Sequence, residues 1–364
     1  MKHESLKQKR IVSLIFFLIY LGCALLMAQT EPLKYIAYKT SKPILIDGKA
    51  DELSWELAPW SEDFIDIKGV KTPLYKTNVK MLWDDDYFYF FAELKEPHVW
   101  GTLKQRDTVI FYNNDFEIFI DPDGDTHDYM EFEMNALNTL WDLFLTKPYR
   151  NHPKVLDSWD IQGIKTAVHI DGSLNDASDI DEGWSVEIAL PWKVLVEANV
   201  HNKIPENEFW RVNFSRVNWN FDLDQGTYSR KKDAAGNFLP EFNWVWSPQG
   251  VINMHEPEKW GYVLFSPDLT GEEKDFTFPR DEHLKWYLYE LYRDLRDEKK
   301  RKVIWKKNEG ENVFTGPERI FFGQAVKPKL EKLEDEFSLW VRSPFSNEKL
   351  VVKNDGKFKN YASQ

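Results

Sequence analysis

The chain has 364 residues, enough for one large domain or two of ordinary size, so it can bury a full hydrophobic core. Its 16 Trp, 15 Tyr and 25 Phe favour β-structure, because aromatic side chains pack well on pleated sheets. The formal net charge of −13 would repel phosphate backbones, which argues against nucleic acid as a partner.

The N-terminus has the pattern of an export signal. Basic residues within 7–10 precede an apolar run at 11–28, and a polar sequence follows. Residues 1–28 are predicted to be a signal peptide that is cleaved after Ala28. The mature chain would then be exported and be periplasmic, cell-surface or secreted, with no cysteine and no membrane span. A lipoprotein signal ending at Cys23 is one alternative. An uncleaved anchor is another, because the apolar run can just cross a bilayer.

Strand patterns dominate the part of the chain that follows. A short strand is expected at 44–48 and a helix around Trp55, and three aspartates join strands 78–83 and 87–94 into a hairpin. Further strands are predicted at 116–120, 129–136, 161–170, 184–190, 210–217, 242–246 and 260–265. About ten strands with few helices are typical of an all-β fold, an antiparallel β-sandwich of two sheets.

Alternation in two of these strands separates a core face from a polar face. Phe116 and Phe132 fall on the first face, whereas Glu117, Glu133 and Asn135 fall on the second. Asn213 and Arg211 of a later strand join the polar face, where Arg211 could pair with Glu133. This face is predicted to be open to solvent or ligand, and its carboxylates, amides and rings suit sugar hydroxyls and pyranose faces. An ordinary solvated sheet face is the alternative.

The turn between those two strands is strongly acidic. Its four carboxylates are those of Asp121, Asp123, Asp125 and Asp128. Calcium takes six to eight oxygen ligands, and carboxylates at alternate positions of a turn can converge to supply several. The spacing is not that of an EF-hand, and Asp-Gly turns also join strands without metal.

The composition changes near Pro267. We divide the chain into the signal peptide, a sandwich domain at 32–267 and a C-terminal extension at 268–364. The extension is predicted to contain one amphipathic helix at 281–302 and short strands. The apolar stripe of that helix consists of Leu284, Leu288, Leu291 and Leu295, and it most often docks on its own domain.

Several motifs, in order and sensibly spaced from about 43 to 265, resemble the family 9 carbohydrate-binding modules. They are Ile46-Asp47-Gly48 with Asp51 and Trp55, Leu82-Trp83-Asp84-Asp85-Asp86-Tyr87-Phe88-Tyr89, Asp115-Phe116-Glu117-Ile118-Phe119-Ile120-Asp121, the ten residues Gly183 to Trp192, and Lys259-Trp260-Gly261. The resemblance implies a jelly-roll or DOMON-like sandwich, sugar binding without catalysis, and bound calcium. It places polar sugar contacts near Glu117, Glu133, Asn135 and Asn213.

The sequence departs from that family at the aromatic clamp. Well-studied members hold a terminal sugar between two tryptophans, whose positions fall here at 111–112 and 254–255. Tyr112 therefore supplies one ring of the expected site. Trp141, Trp219 or Trp246 are candidates for the other, although a tryptophan on a sandwich strand is more often part of a core.

Two other functions are weighed against sugar binding. A glycoside hydrolase could use Glu131 and Glu133, which lie roughly 7 Å apart along one strand, near the lower limit of about 6.5 Å for inverting enzymes. Side chains two residues apart on a strand point the same way, however, and cannot easily flank a glycosidic bond. A haem-binding sandwich could use Met134 or Met254 with His255 as axial ligands.

The sequence therefore predicts an exported protein that binds an oligo- or polysaccharide without cleaving it, in the service of glycan utilisation. It indicates no oligomeric state.

Overall fold

The computed structural model describes residues 31–333 and 336–362. The predicted signal peptide lies outside these residues. Strands β1 to β15 are Lys34–Lys39, Ile65–Asp66, Thr77–Trp83, Tyr87–Lys95, Asp115–Asp121, Tyr129–Asn135, Leu140–Leu145, Val155–Leu156, Lys165–Asp171, Gly183–Pro191, Phe209–Asn218, Phe221–Asp224, Thr227–Arg230, Phe242–Val245 and Gly261–Leu269.

Thirteen of these strands form one hydrogen-bonded sheet that folds back on itself. Its order is β8-β7-β6-β5-β11-β15-β1-β3-β4-β10-β9, with β14 paired to β11 and β2, while β12 and β13 form a separate hairpin. The fold is a β-sandwich, as predicted. Unlike the two antiparallel sheets expected, its halves are joined through β1, which runs parallel to both β15 and β3.

The inner faces of the two halves share one hydrophobic core. Phe116, Phe132 and Phe214 from one half pack with Phe90 and Val186 from the other, and all five are buried. The rings of Phe116 and Phe214 are stacked with centroids 5.8 Å apart. The core face deduced from alternation is thus confirmed.

The opposite face of β5, β6 and β11 is not open to solvent, so that expectation is wrong. Phe119, Tyr129 and Leu143 on this outer face pack against Trp260 and form a second, smaller core. The segment leading into β15 folds over the sheet, because Arg211 on β11 binds its backbone at the carbonyls of Glu258 and Trp260. Polar residues between these contacts are buried along with the apolar ones.

A buried carboxylate holds the segment at 44–48, where a strand was expected. Glu187 on β10 accepts hydrogen bonds from the backbone N–H groups of Asp47 and Gly48, at 2.8 and 3.0 Å. It also accepts one from Trp55 Nε1 at 2.9 Å, in the short helix α1 (Leu53–Leu57). Because these donors bind a side chain, the segment makes no strand pairing. A second short helix, α2 (Trp192–Leu195), follows β10.

The extension contains two helices where one was predicted. They are α3 (Arg280–Arg296) and α4 (Glu298–Lys307). Asp297 separates them in an extended conformation, and its carboxylate accepts hydrogen bonds from the N–H groups of Lys299 and Lys300. Aspartate is a preferred residue at a helix N-terminus, so it begins a new helix here. Among the described helices, none combines the length and the apolar composition that a membrane span requires.

Seven strands complete the extension. Strands β16 to β22 are Val313–Thr315, Arg319–Phe321, Gln324–Val326, Lys329–Leu333, Glu336–Arg342, Lys349–Lys353 and Phe358–Tyr361. Five of them form a sheet in the order β16-β19-β20-β21-β22, and β17 pairs with β18. The predicted stripe of α3 faces this sheet, since Leu284, Leu288 and Leu295 are buried in the extension's own core.

The extension also packs on the sandwich. The Arg293 guanidinium contacts the Glu258 carboxylate at 2.6 Å, and Trp286 Nε1 donates to the Tyr262 hydroxyl at 2.8 Å. The chain from Leu33 onward forms one compact unit. Strand β15 continues to Leu269, two residues beyond the domain boundary expected from composition.

Candidate functional site

Neighbouring strands bring acidic side chains together on the outer face. The strand register sets Ser215, Glu117, Glu133 and Trp141 side by side across β11, β5, β6 and β7. Asp115 lies two residues before Glu117 on the same face. Carboxylate oxygens of Asp115, Glu117 and Glu133 all lie within 4.8 Å of one another. We call these three residues the carboxylate cluster.

Burial sets the electrostatics of this cluster. Asp115, Glu117 and Glu133 are 0%, 6% and 2% exposed, and the nearby Glu131 is 6% exposed. Removal from water, and then the charge of neighbouring carboxylates, raises the pKa values of Asp115, Glu131 and Glu133 well above their ordinary range. Burial likewise raises the pKa of Glu117 to about 7, although a hydrogen bond with Ser215 opposes the shift.

An aromatic surface lies next to the cluster and is connected to it through Phe111. The backbone N–H of Phe111 donates to Glu133 Oε2 at 3.0 Å, and its carbonyl accepts from Trp219 Nε1 at 2.7 Å. The following residue, Tyr112, is 44% exposed. Glu133 thus positions Tyr112 and Trp219 through Phe111. The structure brings these three predicted site residues together with Glu117.

Arg230 completes this surface. Its guanidinium carbon lies 4.2, 4.6 and 4.1 Å from the ring centroids of Tyr112, Trp219 and Phe238. We call these four residues the aromatic–arginine surface, in which Trp219 is only 8% exposed and packs with Trp100 and Tyr228. Arg230 ends β13, and the β12–β13 hairpin is held down by Tyr228, which is buried against Trp100 and Trp219.

Sequence reasoning missed Arg230, Phe238 and Asp115 as site residues. Arg230 and Phe238 lie in the polar region between β11 and β14, which carries no alternation that would reveal a shared surface. Asp115 was detectable, because alternation puts it on the same face as Glu117.

Two predicted sugar contacts hold the backbone instead of facing a ligand. Asn135 donates to the carbonyl of Leu103 at 2.9 Å, and its Oδ1 accepts from the N–H groups of Leu137 and Thr139, each at 3.0 Å. Asn213 donates to the Ser247 carbonyl at 2.8 Å and accepts from the Ser247 N–H at 2.9 Å. Both are 0% exposed, so the expectation that they present free amides is wrong.

The other two tryptophans that were candidates for the sugar site, Trp246 and Trp141, lie on opposite faces of the sheet. Trp246 is fully buried in the sandwich core, so it is not a sugar platform. Trp141 is half-buried beside Glu133 on the outer face, and its indole Nε1 has no hydrogen-bond partner in the described part of the chain. It packs against the smaller core around Trp260.

His255 stands at the second position of the expected clamp. Its Nδ1 lies 2.8 Å from the Tyr129 hydroxyl, and its ring stacks on Tyr149 with centroids 5.1 Å apart. Burial, and then the charge of Arg150, lowers the pKa of His255 to about 4. Of the two methionines considered as haem ligands with His255, Met134 is excluded, because it lies in the sandwich core whereas His255 packs on Phe119 of the outer face. Met254 packs on that outer face as well.

Arg211 does not pair with Glu133. Its guanidinium donates to the carbonyls of Glu258 and Trp260 and, at 2.7 Å, to the Tyr262 hydroxyl. The strand register explains this, because Arg211 is paired with Asp121, four residues from Glu117 along β5.

The acidic turn brings three of its four carboxylates together. Oxygens of Asp121, Asp123 and Asp125 lie within 4.8 Å of one another. Asp121 is fully buried and accepts from the N–H groups of Gly124 and Thr126, each at 2.9 Å. These three residues could hold calcium, with oxygen donors of the kind that calcium prefers. Asp128 lies outside this group.

The extension supplies two ammonium groups to the same turn. Lys285 of α3 is 4% exposed and donates to the Gly124 carbonyl. Lys357 lies 3.0 Å from Asp125 Oδ2 and 3.4 Å from Asp128 Oδ2. Part of the negative charge of the turn is therefore balanced within the chain.

Comparison with known proteins identifies one family. Residues 46–207 match the model of the carbohydrate family 9 binding domain-like family. The comparison with curated proteins gave no match.

Solved structures with a similar chain path come from two organisms. A family 9 carbohydrate-binding module of Caldicellulosiruptor kristjanssonii, in complex with cellotriose, is 16% identical, with 67% of this chain and 100% of that one covered and a TM-score of 0.42. The same organism's module in complex with glucose is also 16% identical, with the same coverage and a TM-score of 0.41. A candidate carbohydrate-binding protein of Bacteroides uniformis is 15% identical, with 65% and 100% covered and a TM-score of 0.47. Over residues 46–207, this sandwich is therefore similar to the family 9-like carbohydrate-binding domains.

Proposed function

We propose that the protein binds an oligo- or polysaccharide at the aromatic–arginine surface. The observation that carries this proposal is the exposed Tyr112 ring, tied through Phe111 to both Trp219 and the buried Glu133. Flat rings cover the apolar faces of pyranoses, and the Arg230 guanidinium offers several hydrogen-bond donors to hydroxyls. The match of 46–207 to a family of carbohydrate-binding domains supports the same ligand class.

Binding without cleavage is part of the proposal. Glu131 and Glu133 project from one strand to one side, and they are 6% and 2% exposed. Two carboxyl groups that hydrolyse a glycosidic bond must stand on either side of it and reach the sugar. The geometry of this pair therefore favours a structural and electrostatic role. We also propose that the protein is exported and that its sugar binding serves glycan utilisation.

A glycan array followed by calorimetry tests the site. The purified chain is first screened against an array that includes cellotriose and glucose, and the best ligand is then titrated. Tyr112→Ala should weaken its binding by ~0.5–1.5 kcal/mol, the range of a contact between aromatic rings and their partners. The fold should survive, because the ring is half exposed.

Tyr361→Ala is the matched control, since Tyr361 is 47% exposed on the extension. It should bind the sugar as the unmodified chain does. Equal affinity of the unmodified chain and Tyr112→Ala would place the sugar elsewhere, and the absence of any array ligand would refute carbohydrate binding.

A further inference from the structure

Helix α4 is a strongly basic segment in an acidic chain. Six of its ten residues are lysine or arginine and one is acidic, whereas the whole chain has a formal net charge of −13. Lys299 and Lys300 stand in the first turn, where the helix dipole disfavours positive charge. Lys302 and Lys306 are four residues apart, a spacing at which like charges destabilise a helix. Helix stability alone therefore does not account for this composition.

One side of α4 packs on the rest of the extension. Ile304 and Trp305 contact the extension's core, and the Trp305 ring lies edge-on to Phe314 and Phe337, with centroids 5.9 and 6.2 Å apart. Because these two residues follow one another on the inward side, the helical repeat turns the side chains near Val303 outward.

The outward side carries four lysines around one apolar residue. Lys299, Lys302, Val303 and Lys306 recur at the three- and four-residue spacing that puts side chains on one face of a helix, and Lys307 lies beside them. All five are exposed, and Val303 is 69% exposed. At ~1.5 Å of rise per residue, the row from Lys299 to Lys306 is about 11 Å long. We call these five residues the α4 face.

The charge of the α4 face is only partly neutralised within the chain. The Lys302 ammonium lies 2.6 Å from the Glu298 carboxylate, and both side chains are largely exposed to water. Lys299, Lys306 and Lys307 form no ion pair with any residue that the structure describes. A row of such lysines attracts a surface that carries many negative charges.

We propose that the α4 face binds an anionic lipid surface, with its lysines on the lipid phosphates and Val303 in the apolar layer beneath them. Lysines close to an anionic bilayer each add attraction, and a basic amphipathic helix lies in the plane of the interface with its apolar side chains inserted. Val303 favours this partner over a soluble polyanion, because a polyanion offers no apolar layer to a valine. The net charge of −13 disfavours a nucleic acid.

Vesicle sedimentation tests the proposal. The chain from Gln29 onward contains the whole compact unit that begins at Leu33, and it lacks the apolar run at 11–28, which would itself bind vesicles. At ~0.1 M salt, it should bind vesicles of phosphatidylglycerol and phosphatidylcholine in equal parts at least about tenfold more tightly than vesicles of phosphatidylcholine alone. Salt at ~1 M should abolish the difference, because it screens the charges.

Charge removal on α4 should weaken this binding. The triple variant Lys299→Gln, Lys302→Gln and Lys306→Gln keeps residues that favour a helix, and it should bind the anionic vesicles at least about tenfold more weakly. Its melting temperature should not fall, because repulsion between like charges is relieved. The matched control removes the same charge from exposed lysines of the sandwich and should bind as the unmodified chain does. It combines Lys49→Gln, Lys68→Gln and Lys193→Gln.

The apolar contact is tested by Val303→Thr, which keeps the shape of the side chain. It should weaken vesicle binding about fourfold, the equivalent of ~0.8 kcal/mol for one buried CH2 group. Unchanged vesicle binding of Val303→Thr would overturn the proposal, since a purely electrostatic contact would not select a bilayer.

Three further results would also contradict lipid binding by α4. They are equal affinity for anionic and neutral vesicles, equal weakening by the α4 and the sandwich triple variants, and binding of dextran sulfate without binding to anionic vesicles. The last would indicate an acidic polysaccharide as the partner of α4. None of these measurements depends on the proposed sugar site, because no sugar ligand of that site is present in the vesicle assays.

Discussion

His255 gives the molecule a defined response to acid. Its pKa is about 4 in the folded chain, against an ordinary value of 6.5, because burial disfavours the charged ring. Between these values the unfolded chain binds a proton that the folded chain does not. Stability should therefore rise with pH from 4 to 6.5, with His255 contributing at most about 1.4 kcal/mol per pH unit.

Urea unfolding at several pH values measures this contribution. His255→Asn should flatten the dependence of the unfolding free energy on pH between 4 and 6.5. His152→Asn, at an exposed histidine that already has a positive φ of 55°, is the control and should leave the slope unchanged. Equal slopes for His255→Asn and the unmodified chain would contradict the lowered pKa, because His255 would then bind its proton equally well in the folded and the unfolded chain.

Asn213 is expected to matter for stability. Its side chain satisfies the N–H and carbonyl of Ser247 and the N–H of Phe214, all in the interior. Asn213→Ala leaves those groups unpaired, which should lower the unfolding free energy by about 1–3 kcal/mol. Chemical denaturation measures the loss. Asn360→Ala, at an exposed amide, should cost less than half as much, and a neutral Asn213→Ala would contradict the assigned role.

At the scale of elements, α3 stabilises the acidic turn through Lys285. Burial, and then Asp123 and Asp125, raise the pKa of Asp121, whereas Lys285 opposes that shift. Lys285→Met should lower the unfolding free energy in chelator by about 1–3 kcal/mol, since the Gly124 carbonyl loses its donor and Asp121 loses a nearby positive charge. Lys357→Met, at a more exposed lysine, should cost less.

The stability lost in Lys285→Met should depend on whether calcium is present. If Asp121, Asp123 and Asp125 bind the ion, calcium should restore part of the stability that Lys285→Met loses, because a ligand bound only to the folded state stabilises it. Melting curves in chelator and in calcium chloride provide the comparison. Unchanged melting of Lys285→Met in chelator would contradict the role given to the lysine.

The strands whose faces differ in polarity were predictable. Alternation located β5, β6 and β11 to within one residue at each end, and it identified their core face. Strand β1 was missed because it joins the two halves of the sheet and is buried on both sides, which removes the alternation. The helix break at Asp297 was missed because the apolar stripe of α3 ends there without a glycine or proline.

The candidate site was predictable only in part, for a related reason. Period-two spacing shows which residues share a face, but it does not show what covers that face. Glu117 and Glu133 were placed together correctly, whereas the closure of the face by Trp260 and its neighbours depends on contacts far apart in sequence. Arg230 reaches Tyr112 from a hairpin more than one hundred residues away, and no local pattern signals this.

At the scale of the whole molecule, the extension and the sandwich pack together as one compact unit. The outer face of the sandwich is closed by the segment before β15, and α3 packs behind that segment through Arg293 and Glu258. Within the proposed sugar site, the aromatic–arginine surface, the Tyr112 ring remains 44% exposed.

Hydrogen–deuterium exchange with and without sugar tests this central claim most directly. With a saturating oligosaccharide chosen from the array, protection should appear in peptides covering 110–113 and 219–230, which carry Tyr112, Trp219 and Arg230. Peptides of the extension, such as 349–361, serve as the internal control and should not change. Protection confined to the extension or to the acidic turn, with 110–113 and 219–230 unaffected, would contradict the proposed site.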